Sequence, residues 1–207
     1  MRFNHARQAV HDAFATNQTT PDRMEAGGTR YNANSAICHQ AEAALIIKAV
    51  LEQRKHLRAM CLFLNAPEGW ATPSEITSLK SRLWIDFLKN TEASSRVQGE
   101  LVSVIDQVVL NYRRRIQNPS FGDSYTGADI AQLLGRSLDK YDTDVRPHQN
   151  AMMEILKRFD LQSLQPVWEV VNEQREKRDM MVGPVAPINP RTGQPYKVFP
   201  QKVEEAA

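Results

Sequence analysis

Two groups of residues in the 207-residue chain have the types and spacing to meet a polyanion. Arg113, Arg114 and Arg115 are consecutive. Arg136, Ser137 and Lys140 follow the segment Ala128-Asp129-Ile130-Ala131-Gln132-Leu133-Leu134-Gly135. Cations near a helix C-terminus are favoured by the macrodipole without any partner. Three in a row exceed what that effect alone would place, so the triplet predicts phosphate contacts.

The second group sits in a pattern suited to a helix-turn-helix. Ala131 is small where two helices would touch, Ile130 and Leu134 are apolar on the inner face, and Gly135 permits the left-handed residue of a sharp turn. Ser137 would begin the second helix and present Arg136 and Lys140 near its start, where such units meet phosphates and base edges. Two positions depart from that pattern. Arg136 stands where an apolar residue is usual, and the inward position late in the second helix falls on Asp144, one place from Val145. A plain amphipathic helix stopped by a Schellman glycine fits the same residues, and both readings stay open.

Catalytic and metal chemistry find less support. His5, His11, His39, His56 and His148 are scattered, with no HExxH pair, and Cys38 and Cys61 stand alone without a CxxC partner. Cys38 and His39 are neighbours, but adjacent helical side chains diverge by about 100°. GxSxG, GxxxxGK and GxGxxG motifs are absent. The expectation is a binding protein and not an enzyme, with no cofactor and no metal.

A composition of 42% hydrophobic and 24% charged residues excludes wholesale disorder. The 26 Lys and Arg nearly cancel the 24 Asp and Glu, so any basic surface is local. No run approaches the length of a membrane span and the first residues lack an apolar leader, which predicts a cytoplasmic protein with no membrane partner.

Apolar spacing of three and four residues predicts an all-α fold. Residues 1–31 read as a partly ordered arm. Residues 32–120 read as a bundle of three long helices: 34–64 in one piece, a second starting at the Thr72-Pro73-Ser74-Glu75 capping box, and 93–117. Residues 121–182 hold the helix-turn-helix-like unit and helices near 147–159 and 163–177. The five prolines after Gly183 predict an extended tail over 183–207.

Two stretches, Leu57-Arg58-Ala59-Met60 through Trp70 to Leu83-Trp84, and Ala128-Asp129-Ile130-Ala131 through Leu134-Gly135 to Arg158-Phe159-Asp160-Leu161, resemble in layout the phage-encoded Q-like late-gene antitermination proteins. The resemblance covers roughly half the chain and lacks the paired-cysteine zinc site of some members. It implies a DNA-binding transcription regulator that joins RNA polymerase, with Arg136, Ser137 and Lys140 on DNA. The alternative is a phage structural, packaging or assembly subunit whose terminal arms contact other chains; an oligomer stays open, and a higher oligomer that needs residues 183–207 would favour this alternative.

Overall fold

The computed structural model describes residues 2–16 and 33–182, and all regular structure among them is helical. The chain divides into a compact unit, residues 1–171, and a second, 172–207. The tail expected over 183–207 and the side chains of Cys38 and His39 lie outside the described residues. Among the described residues no helix is long and apolar enough to cross a membrane.

The elements are α1 (Arg2–Thr16), α2 (Ala33–Leu51), α3 (Lys55–Asn65), α4 (Pro73–Asn90), α5 (Ser95–Ser103), α6 (Ile105–Gln117), α7 (Gly127–Leu133), α8 (Leu138–Asp144) and α9 (Arg146–Val182), with a 3-10 turn at Pro119–Phe121. The start of α4 follows from its capping box. Thr72 Oγ1 accepts the Glu75 N–H (3.3 Å), and the Thr72 N–H donates to Glu75 Oε2 (3.0 Å).

Four expectations need correction. The first is the arm. Residues 2–16 are helical, and Ala6, Val10, Ala13 and Phe14 are buried. The second is the single helix over 34–64, which breaks at Glu52–Arg54 because the two halves bury different faces. Ile46 and Val50 of α2 join α1, whereas Ala59 to Ala66 are buried all round. The third is 93–117, which breaks at Val104, whose backbone (φ −112°, ψ 11°) leaves the helical region while its side chain fills the core. The fourth is the pair of helices expected over 147–177. They are one, α9, which continues through Pro166. Proline there removes one ladder donor, and beside it the Ser163 carbonyl accepts Gln53 Nε2 (2.9 Å).

Two apolar clusters hold residues 1–171 together. One joins Met60, Leu79, Leu83, Phe87, Leu101 and Val108 to Ile130, Tyr141, Leu156 and Phe159, so the packing runs across the boundary expected at residue 120. The other joins α1, α2, Cys61 and Leu62 of α3, and Leu164 and Val167 of α9. Each large side chain so buried contributes roughly 1.5–3 kcal/mol. α3 lies between the clusters and feeds both, which explains its apolar residues on every side.

A buried polar network links the two clusters. Arg7 on α1 donates to Asp160 through Nη2 and to Asn65 Oδ1 through Nη1 (3.0 Å), and the Tyr112 hydroxyl donates to Asp160 Oδ2 (3.0 Å). Asp160 is almost wholly covered. Burial and the facing Asp160 carboxylate push the Tyr112 phenol well above its ordinary range, which keeps it a donor.

Candidate functional site

The candidate residues gather at the end of the compact unit built from the C-terminus of α6, the 118–126 loop, α7 and α8. α7 starts at a second capping box. Thr126 Oγ1 accepts the Asp129 N–H (3.3 Å), and the Thr126 N–H donates to Asp129 Oδ2 (2.7 Å). It stops at Gly135, whose φ of +62° suits glycine. The Gly135 N–H donates to the Gln132 carbonyl (3.1 Å) and the Arg136 N–H to the Ala131 carbonyl (2.9 Å), the paired bonds of a Schellman end. α8 follows at once, so residues 127–144 form two short helices joined by a tight turn. Ala131, Ile130 and Tyr141 are buried and Leu134 packs against the core.

The cations expected to face outward together do not. Arg136 is the clearest correction. Its side chain is 6% exposed, with Nη1 donating to Asp144 Oδ2 (2.6 Å) and Nη2 to Glu100 Oε1 (2.8 Å). These bonds hold its guanidinium above the ordinary range. Arg136 ties α5, the turn and α8 together and is not presented to a phosphate.

The triplet fans around α6, as a 100° step requires. Arg113 stacks over Phe63 (4.7 Å to the ring centre) with Glu68 at 3.9 Å. Arg114 lies 5.3 Å from the ring centre of Phe121. Arg115 forks onto Asp123 through Nε (2.5 Å) and Nη2 (2.7 Å), which raises its pKa further. Ser137 occupies the N-cap position of α8 without making a side-chain cap. Lys140 is exposed and carries no ion pair among the described residues.

Electrostatics follow the pairing. Residues 121–146 contain five aspartates against Arg136, Lys140 and Arg146. With Arg113, Arg114 and Arg115 of the same end included, the charges nearly balance, and most of the cations are paired, so a polyanion would meet no concentrated positive field.

What the end does present is apolar. Leu133, the last residue of α7, is 59% exposed, and Leu138, the first of α8, is 45% exposed, so two leucines bracket the clamped turn. On the outer side of α7 an open depression of about 730 Å³ runs from Leu133 past Gln132 and Asp129 to Tyr125. Phe121 is 73% exposed beside Arg114. Sequence reasoning missed Glu100 and Asp144 as partners and the exposed leucines as a surface. The Asp144 misfit was the one available signal, since an acid in an inward position asks for a cation.

Cys61 offers no nucleophile. Burial pushes its thiol up to about 12, so the thiolate is scarce at neutral pH. His56 is lowered by burial first and by Arg82 second, and is neutral near pH 7.

No protein-family model matches the chain, and neither curated proteins nor solved structures offer a match.

Proposed function

We propose that the protein is a helical subunit that joins other protein chains through the end formed by α7 and α8. The observation that carries this reading is the pair Leu133 and Leu138, large, apolar and exposed on either side of a turn fixed by Arg136. A fixed apolar knob loses little entropy on docking. Asp129 lines the depression beside Leu133, and the exposed Asp139 follows Leu138 in α8. The matching seat is therefore an apolar hollow rimmed by Lys or Arg. The antitermination resemblance implies contacts with both DNA and RNA polymerase, and this surface suits the protein contact. The role is binding rather than catalysis.

A photo-cross-linking residue at Leu133 tests the reading in the full chain, with one at Glu169 as control. A discrete protein adduct from Leu133, lost on Leu138→Asp, is expected. Adducts equal at both positions, or adducts only to nucleic acid, would overturn it.

DNA binding stands as a second reading on one observation: Lys140 and Ser137 are exposed on α8, with Arg114 beside the open ring of Phe121. An exposed aromatic and a cation suit a single-stranded base better than a duplex groove. Affinity that falls steeply with salt and on Lys140→Ala plus Arg114→Ala would support it.

A further inference from the structure

The end of α6, the loop that follows it, the start of α7 and the junction of α8 with α9 enclose a polar pocket of about 230 Å³. Its frame is fixed by buried groups. The Asn111 side chain donates to the Tyr125 carbonyl (2.8 Å) and accepts the Tyr125 N–H (2.8 Å), which pins the loop wall. Tyr141 is buried on the inner side, and its hydroxyl donates to Gln149 Oε1. Gly127 lets the backbone of α7 lie directly against Arg146, because a Cβ at that position would collide with Arg146 Nη2.

Donors and acceptors in this pocket do not balance. Asp123 brings the carboxylate of the lining, and Arg115 already occupies both of its oxygens, Oδ1 through Nε (2.5 Å) and Oδ2 through Nη2 (2.7 Å). Donors are left over. Gln149 is 8% exposed and its Oε1 is taken by Tyr141, so its amide N–H groups lie in the pocket without a partner among the described residues. Arg146 Nη2 stands 2.8 Å from Asp142 Oδ1, yet that oxygen receives no hydrogen bond. The contact is an ion pair out of line, and the guanidinium has donors to spare. A buried donor left unmatched is costly, so the complement of this lining is a group that brings oxygens.

We propose that the pocket binds a carboxylate, with the Arg146 guanidinium and the Gln149 amide as its donors. Charge selects a carboxylate over a phosphate. Arg115 is matched by Asp123 and Arg146 by Asp142, so the site holds no surplus positive charge to set against a dianion. A planar group with one negative charge meets a guanidinium edge to edge. The rings of Tyr125 and Tyr141 offer apolar contact to the carbon behind it. The volume is below the roughly 300–1,000 Å³ of pockets for drug-sized ligands, which fits a small acid or the end of a peptide chain. The inference goes beyond the α7–α8 contact and is independent of it: neither Leu133 nor Leu138 lines this pocket, and Leu133→Asp should leave carboxylate binding unchanged.

NMR spectra of the full chain, titrated with sodium acetate at constant ionic strength, provide the test. The Gln149 side-chain amide and the Arg146 Nε–H are expected to shift saturably, with a dissociation constant on the order of millimolar for so small a ligand. Acetamide, the neutral counterpart, should shift neither. Arg146→Ala should weaken acetate at least tenfold, and so should Gly127→Ala, whose methyl takes the place of Arg146 Nη2. Should these variants fail to fold, Asn150→Asp, at an exposed position of the lining, must weaken acetate to the same degree. N-acetyl-trialanine, compared with its C-terminal amide, separates the two sources: binding tighter than acetate and lost in the amide marks a chain terminus, and binding equal to acetate marks a free small acid. Shifts that never saturate, equal shifts with acetamide, tighter binding of inorganic phosphate, or acetate affinity unchanged in the folded variants would overturn the assignment.

Discussion

Arg136 and Asp144, the two residues that depart from a helix-turn-helix pattern, are partners: the guanidinium donates to the carboxylate at 2.6 Å, with Glu100 at 2.8 Å completing the clamp. A cation in an apolar position and an acid eight residues on are therefore one feature. They convert what the pattern would use to read DNA into a brace between α5, the turn and α8.

Arg136→Ala should lower the melting temperature by several degrees, because two carboxylates lose their shared partner and the covered position is left unfilled. Lys140→Ala should leave it unchanged. Thermal denaturation followed by circular dichroism separates the two. Equal, negligible effects would show that the clamp contributes nothing.

Gly135→Ala should cost about 1 kcal/mol, since a side chain at φ +62° is strained although the space around it is open. Urea unfolding would read this as a shift in midpoint with the slope unchanged.

Arg7→Met removes the cation facing Asp160 and should destabilise the fold by about 3 kcal/mol, within the range for breaking a covered ion pair. The effect should shrink when Asp160→Asn is introduced with it, because the stranded carboxylate is then gone. A double-mutant cycle in urea measures that coupling.

Glu75 gives the fold a pH dependence. Burial alone would raise its carboxyl, but the N–H and hydroxyl of Thr72 and the guanidinium of Arg58 outweigh burial and hold it below its usual 4.5. A depressed folded value means the stabilisation is complete above about pH 4.5 and is lost as pH falls through the lower folded value. Stability of Glu75→Gln should accordingly fall less than that of wild type over that acid window. Parallel curves would contradict the assignment.

The all-helical class was legible because Ile76, Leu79, Leu83 and Phe87 repeat at helical spacing behind an explicit cap. α1 was harder to see, since its buried stripe is narrow, two of its four residues are alanine, and Arg7 sits on its covered side. The breaks after Leu51 and at Val104 carry no proline or glycine; tertiary packing selects them, which local pattern does not encode. At the site, the turn at Gly135 was readable from composition. The fate of Arg136 was only half readable: Asp144 is near in sequence, but Glu100 comes from 36 residues away.

The central claim is that the α7–α8 end presents leucines to a protein and keeps its best-placed arginine inside. Fluorescence anisotropy of labelled duplex and single-stranded oligonucleotides, titrated with the full chain at about 50 and 200 mM salt, tests it most directly. The account predicts no saturable binding to either and no difference between wild type and Lys140→Ala. Saturable binding that weakens by orders of magnitude across that salt range, and again on Lys140→Ala, would contradict it.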